Sequence, residues 1–184
     1  MDYKIDKFHQ IEYTTTDGKV ATPNDSISSW DVVNEIISNE YKNGIGRITF
    51  ANEVKSIPTT FFMDCKNLKS IILPPKCKVV HDHAFEKCHN LEEVKLNDGV
   101  SMIQEYAFCQ TALKKIEIPS SCFDISAFAF WDSKLDKVKF NTPTTTYRYI
   151  GPYAFKNWRN IDGISEYDDF NTMAFGAPKK VRVK

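Results

Sequence analysis

Residues 84–96 of this 184-residue chain read A-F-E-K-C-H-N-L-E-E-V-K-L, and altered copies of the stretch return along the chain. Aligned on the phenylalanine, the copies lie 22–25 residues apart, at Phe62, Phe85, Phe108, Phe130 and Phe155. Self-similarity with a period of roughly 20–50 residues is typical of stacked repeats, in which each copy buries its apolar side chains against its neighbours. The sequence therefore predicts a solenoid with the phenylalanines in its core.

The apolar positions around each phenylalanine recur as a set. In the second copy Val80 lies five positions before Phe85, and Leu91, Val94 and Leu96 follow it at six, nine and eleven positions. The combined pattern reads L-P-x-x-V-x-x-I-x-x-x-A-F-x-x-C-x-N-L-x-x-I-x-L. It resembles the BspA-type leucine-rich repeats of bacterial surface proteins over about residues 48–167. The resemblance implies a mainly β, or α+β, solenoid of about five leucine-rich repeats of 22–25 residues.

The segment before the repeats is predicted to form an N-terminal hairpin–helix cap. Asp17-Gly18 is a strong hairpin signal, which predicts strands near residues 8–15 and 19–22. A helix is predicted over residues 30–41, because its apolar residues fall on one helical face. A solenoid needs such a cap, since its first repeat would otherwise expose an apolar side.

The predicted organisation is a single solenoid domain over residues 1–184. Residues 1–47 form the N-terminal cap, residues 48–167 the repeats and residues 168–184 a C-terminal cap. Residues 181–183 are predicted to be an edge strand, with lysines that discourage edge-to-edge association.

Charge and hydropathy exclude several classes of partner. The 24 basic and 24 acidic residues balance, whereas a nucleic-acid-binding protein normally carries a clear basic excess. The sequence has no run of about 18 apolar residues, so no membrane span is predicted. The first residues are polar and show no signal peptide. The predicted location is extracellular, at the cell surface, or in a virion.

The chain shows no motif for catalysis or for a cofactor. It has no nucleophile elbow, no phosphate-binding loop and no glycine-rich dinucleotide loop, so it is predicted to be neither an enzyme nor a cofactor carrier. His81 and His83 could hold a divalent ion if a third ligand were near, but they match surface positions of the next copy, and no metal is predicted.

Four of the five cysteines follow the repeat: Cys77 and Cys122 hold positions that are valine in other copies, and Cys65 and Cys88 share one position. A cysteine that alternates with valine is predicted to be a small buried hydrophobe. Cys65 and Cys88 lie on adjacent coils, so a disulfide between them is conceivable, although the odd total argues against a disulfide framework.

Two groups of side chains are candidates for binding. Lys95, Glu117 and Lys139 form an outward column in which opposite charges meet on adjacent coils; this is either a solvated sheet face or a polar protein-binding face.

The second group is aromatic. Tyr106, Phe128 and Tyr153 each stand two positions before a repeat phenylalanine, and Trp131 lies near them in the sequence. Exposed aromatic residues on a rigid scaffold would mark a contact surface for a protein or a glycan. Alternatively, these rings cover the turns of neighbouring repeats.

The predicted function is a non-catalytic protein-interaction or adhesion module. The resemblance implies adhesion, with contacts to host proteins or other cells. The alternative is a structural, decoration or fibre protein of a bacteriophage virion, which would bind other copies or a structural partner. The expected partner is a host or structural protein, with a glycan as the alternative, and self-association is compatible with either function.

Overall fold

The strands of this protein form two ladders along the solenoid and a cap at its N-terminal end. The computed structural model describes residues 6–24, 35–141 and 148–155, and the backbone of residues 160–162 and 168–170. Within these residues there is no helix, and the strands are Gln10–Thr15 (β1), Ile36–Lys42 (β2), Ile45–Phe50 (β3), Ser56–Ile57 (β4), Leu68–Ile72 (β5), Val79–Val80 (β6), Glu93–Lys95 (β7), Met102–Ile103 (β8), Lys115–Ile118 (β9), Asp124–Ile125 (β10), Lys137–Phe140 (β11), Arg148–Ile150 (β12), Asn160–Asp162 (β13) and Asp168–Phe170 (β14).

Each coil contributes one strand to each ladder. The short strands β4, β6, β8, β10, β12 and β14 pair in parallel as one six-stranded sheet. On another side of the coil β5 pairs in parallel with β7, and β9, β11 and β13 pair in parallel as a second group. The predicted mainly β solenoid is therefore confirmed.

The longer-strand ladder is interrupted between β7 and β9, which belong to separate hydrogen-bonded sheets. The repeat changes at the same point: Leu91 follows Phe85 at six positions, whereas Leu113 follows Phe108 at five. We attribute the interruption to this shorter turn, because it alters the approach of the chain to the next strand.

The phenylalanines form a continuous stack through the core. Phe62, Phe85, Phe108, Phe130 and Phe155 are at most 1% exposed. Neighbouring rings lie 5.0–5.6 Å apart, with 3–16° between their planes. Fully burying a phenylalanine is worth roughly 1.5–3 kcal/mol, so this stack carries much of the stability of the fold. The prediction that these residues share one buried core is confirmed.

The turn that carries each phenylalanine also links neighbouring coils. The amide of Phe85 donates to the carbonyl of Ala107 at 2.8 Å, and the amide of Phe108 donates to Ala129 at 2.7 Å. Residues two positions before each phenylalanine, and two positions after the first four, have positive φ angles of 55–61°; they are Thr60, Asp64, His83, Lys87, Tyr106, Gln110, Phe128, Asp132 and Tyr153. Their left-handed conformation costs about 1–2 kcal/mol per residue, and hydrogen bonds to the next coil help to offset it.

The N-terminal cap is an antiparallel sheet in which β1 lies between β3 and β5. It pairs antiparallel with both of them, so it separates β3 from the first repeat strand. Ile11 and Tyr13 on β1 are buried, and the ring of Tyr13 covers Gly46 on β3. β1 thus covers the apolar side that the first repeat would otherwise expose.

Both predicted elements of this cap are wrong in detail. Residues 8–15 contain β1, but residues 19–22 form no strand, and the partners of β1 come from later in the chain. The predicted helix over residues 30–41 overlaps β2; its first residues, up to residue 34, lie outside the described ones. The hairpin joins β2 to β3 through Asn43-Gly44, whose φ angles are 52° and 81°. Asn-Gly favours the tight turn between two strands, and this local signal outweighs helical spacing.

The predicted bounds of the two caps and of the repeats stay predictions. The backbone of β14 adds a parallel strand beside β12, within the segment assigned to the C-terminal cap. The predicted edge strand at residues 181–183 lies outside the described residues.

Candidate binding surface

One exposed face of the cap and the repeats carries a row of charged side chains. Strand pairing aligns Glu40 with Arg47, Arg47 with Glu12, Glu12 with Ile72, and Ile72 with Lys95. Glu117 holds the repeat position of Lys95 on the next coil and pairs with Lys139. We call this set the charged row; in order it is Glu40, Arg47, Glu12, Ile72, Lys95, Glu117 and Lys139.

Ion pairs within the charged row occur on both sides of Ile72. Arg47 Nε lies 2.8 Å from Glu12 Oε1, and Lys139 Nζ lies 3.5 Å from Glu117 Oε1. Among the described residues no ion pair joins Lys95 to Glu117, which follows from the interruption between β7 and β9. The expected meeting of charges is therefore seen at Glu117 and Lys139 only.

The centre of the charged row is apolar. Ile72 is 46% exposed, although it lies on a central strand between Glu12 and Lys95. A second row runs beside the first and is neutral at its centre, where Thr14 Oγ1 and Ser70 Oγ are hydrogen bonded at 2.7 Å. Glu93, Lys115 and Lys137 continue this second row over the repeats. The two rows together are called the charged face.

A cavity of about 660 Å³ opens beside the charged face, where the cap meets the repeats. Thr14 and Tyr41 line it from the cap, and Lys69, Glu92, Lys114 and Asp136 line it from successive coils. These four charges alternate in sign, as they do in the charged row. The arrangement suits polar contacts with a partner surface that carries both positive and negative side chains.

The aromatic candidates form a second stack outside the core. The rings of His83, Tyr106, Phe128 and Tyr153 are half-buried and lie 4.9–5.2 Å from one another, with 4–16° between planes. Trp131 packs edge-on against Phe128 at 6.4 Å. The structure thus brings the four predicted aromatic residues together. Because both faces of Tyr106 and Phe128 are covered by neighbouring rings, this stack presents mainly ring edges.

His81 and His83, the two candidate metal ligands, hydrogen bond to different side chains. His81 Nδ1 lies 2.8 Å from Gln104 Oε1, and His83 Nδ1 lies 2.7 Å from Glu86 Oε2. Within the described ranges, no three histidine, cysteine or acidic side chains are grouped as metal ligands would be.

All five cysteines are free thiols, including Cys65 and Cys88. Four are buried and Cys65 is half-buried. Burial raises the pKa of every one above the ordinary value of 9.0, which keeps the thiols protonated. Such thiols pack as small hydrophobes and are weak nucleophiles.

The cap half of the charged row was not predicted: it consists of Glu40, Arg47 and Glu12. The predicted helix included residue 40, and the predicted hairpin paired β1 with the wrong segment. The Asn43-Gly44 dipeptide was the signal that could have placed Glu40 opposite Arg47. No local signal places Glu12 beside Ile72, because that pairing joins distant parts of the chain.

Residues 34–162 match the profile of the BspA-type leucine-rich repeat region in six copies, one more than the five predicted from the phenylalanines. No curated protein matches the chain. Within the described ranges there is no helix long and apolar enough to cross a membrane.

Two solved structures are similar to the chain. A leucine-rich cell surface protein from Faecalibacterium prausnitzii A2-165 is 19% identical over 62% of this chain and 52% of its own, with a TM-score of 0.39. A leucine-rich repeat protein from Bacteroides ovatus ATCC 8483 is 18% identical over 74% of this chain and 50% of its own, with a TM-score of 0.36. The chain therefore spans about half the length of each.

The family match covers more than half of the chain and coincides with the ladders of strands and phenylalanines described above. This chain belongs to the family of BspA-type leucine-rich repeat proteins.

Proposed function

We propose that this chain is a non-catalytic protein-interaction module that acts in adhesion at a bacterial cell surface, and that the charged face is its contact surface. The observation that carries the proposal is the charged row itself. It extends from the cap across successive coils. Strand pairing holds Glu40 to Lys95 in register within one sheet and Glu117 beside Lys139 in the next. A solenoid presents such a surface without using its core residues.

Membership of the BspA-type family supports an interaction or adhesion function. The buried, protonated thiols and the separately bonded histidines give no support to a catalytic site. A protein partner is favoured over a glycan, because the aromatic stack offers mainly edges whereas the charged face offers paired donors and acceptors.

Cell binding tests the proposal. Fluorescently labelled protein is added to bacterial and epithelial cells, either intact or treated with trypsin. We expect binding that trypsin treatment removes, and a loss of at least about tenfold in affinity in the Lys95→Glu/Lys139→Glu variant, which corresponds to about 1.4 kcal/mol.

The matched control is Lys55→Glu/Lys78→Glu. It changes the charge equally at two exposed lysines that precede β4 and β6, away from the charged face. If trypsin has no effect, the partner is not a protein. If both double variants bind equally, the contact surface lies elsewhere.

The bacteriophage alternative stays a prediction, and no described feature favours it over adhesion. The genes that flank this one in its genome separate the two: virion genes favour a decoration or fibre protein, and genes of the cell envelope favour an adhesin.

A further inference from the structure

We propose that the partner of the charged face is a second copy of this chain, docked face to face about a two-fold axis that runs along β5 at Ile72. This inference rests on the proposed function, because it names the partner of the same surface.

The charged row reverses its signs about Ile72. Moving outward on the cap side, the charges are negative, positive and negative, at Glu12, Arg47 and Glu40. Moving outward over the repeats, they are positive, negative and positive, at Lys95, Glu117 and Lys139. Each charge thus has an opposite charge the same number of strands away on the other side of Ile72. When the row is turned end to end and laid against itself, opposite charges therefore meet.

The orientation of the axis follows from these signs. A two-fold axis along the strands reverses the row, so Glu12 faces the partner's Lys95, Arg47 faces the partner's Glu117, and Glu40 faces the partner's Lys139. Symmetry makes every such contact twice, as expected for an interface between identical surfaces. An axis across the strands would instead place each charge opposite its own copy, and such like-charge contacts are costly.

The second row is compatible with the same axis. Ser70 lies on the axis, and Thr14 faces the partner's Glu93, to which its hydroxyl can donate. At the cap end this row continues through Ile45 to Lys42, which pair with each other across β2 and β3. Ile45 faces the partner's Lys115, and the like-charge contact is between Lys42 and the partner's Lys137. Lys42 already lies 2.6 Å from Glu40. Lys42 lies at the outer edge with its side chain 74% exposed, and solvent screens charges there strongly.

The dimensions suit a specific but salt-sensitive interface. Hydrogen-bonded strands lie about 4.8 Å apart, so a row across seven strands is roughly 30 Å long, with its one unpaired step between β7 and β9. Sheets pack face to face with their strands nearly aligned. The apolar centre consists of Ile72 from each copy, which is small. The surrounding charges therefore fix the register and the rate of association more than they add affinity, and salt weakens them.

Mass measurement and a mixing experiment test this inference. We measure molar mass by light scattering during size-exclusion chromatography, at low and at high salt. The chain of 21.2 kDa should approach twice that mass at low salt and return to one copy at high salt. Glu12→Lys and Lys95→Glu should each be monomeric, because each sets like charges against one another. Mixed in equal amounts they should dimerise again, since Lys at position 12 then meets Glu at position 95.

Glu105→Lys is the control, since it changes the charge at an exposed position beyond β8, off the charged face. It should dimerise like the unaltered chain, and the melting temperatures of all variants show that they are folded. A monomer at both salt concentrations, or a mixture that stays monomeric, would overturn the inference. The proposed function would still stand if Lys95→Glu/Lys139→Glu loses cell binding while the unaltered chain is monomeric, because the partner is then a different protein.

Discussion

The phenyl rings of Phe85 and Phe108 lie parallel in the core, with their centroids 5.1 Å apart and 3° between their planes. The amide of Phe85 also donates to the carbonyl of Ala107, so the side-chain stack and the backbone ladder fix the same register. A change at one ring therefore acts on the coils on both sides of it.

Phe108→Ala should lower the free energy of unfolding by about 3–5 kcal/mol, because it leaves a cavity between two stacked neighbours. Urea unfolding followed by circular dichroism measures the change. Phe123→Ala is the control. Because Phe123 is 45% exposed, this change should lower the free energy of unfolding much less. A loss below about 1 kcal/mol at Phe108 is incompatible with a stack that carries the core.

Tyr106→Ala and Phe128→Ala should lower stability and leave cell binding unchanged. Each ring stacks between two others, and an aromatic pair is worth about 0.5–1.5 kcal/mol beyond its buried area. Unfolding curves and the cell-binding measurement decide between packing and contact. Weaker binding without a loss of stability would move the contact surface to the aromatic stack.

Lys87→Gly should leave the free energy of unfolding nearly unchanged or raise it, whereas Lys87→Val should lower it clearly. Lys87 has φ of 61°, which is strained for any residue with a Cβ by about 1–2 kcal/mol and worse for a β-branched one. Glycine removes this strain. It also gives the unfolded chain more conformational entropy, which lowers the free energy of unfolding by roughly 0.5–1 kcal/mol. Thermal unfolding of both variants tests the left-handed turn. Equal stabilities would mean that the turn is not left-handed in solution.

Alkaline pH should destabilise the protein through its buried thiols. Burial raises the pKa of Cys77 and of Cys122 from 9.0 to about 12. Between these values the folded state keeps protons that the unfolded chain has lost. The free energy of unfolding therefore falls as pH rises from 9 toward 12, by up to about 1.4 kcal/mol per pH unit for each thiol.

The control for this pH dependence comes from the repeat itself. Val54 and Val100 hold the positions of Cys77 and Cys122 in other copies, so Cys77→Val/Cys122→Val should fold normally. Urea unfolding of this double variant should show a shallower decline above pH 9. Identical declines in the two proteins would show that Cys77 and Cys122 are not the cause.

Gly46→Ala should destabilise the cap. A methyl group on Gly46 would overlap the ring of Tyr13, which is 1% exposed and has no room to move away. Overpacking of this kind costs about 1–3 kcal/mol, which a shift in thermal unfolding would report. Tyr13→Leu removes the overlapping ring but also the hydroxyl that hydrogen bonds Asn39 and Ala21. Gly46→Ala should therefore cost less in a Tyr13→Leu background than in the unaltered chain. An unchanged unfolding temperature in Gly46→Ala would argue against this packing of β1 on β3.

The repeats could be predicted from the sequence because one pattern constrains many positions together. Phe85 and Phe108 share their surroundings, so alignment alone placed them in one core. The left-handed turns could not be foreseen, because residues such as Tyr106 and Lys87 give no local signal for a positive φ. Hydrogen bonds to the neighbouring coil select that conformation, and they exist only in the stack.

The cap was predicted poorly because it does not repeat. Helical spacing of apolar residues competed with the Asn43-Gly44 turn, and the turn prevailed because β3 and β1 provide a sheet for β2 to join. Half of the charged row lies on these strands. Lys95, Glu117 and Lys139 could therefore be named from sequence, whereas Glu12 and Arg47 could not.

The position of β1 between β3 and β5 has a consequence for synthesis on the ribosome. β1 emerges first, yet its neighbours follow only once residues 50 and 72 have been made. The nascent chain must hold an apolar strand unpaired during that interval, when it is open to association with other chains. This end of the molecule therefore cannot be completed until the first repeat has been synthesised.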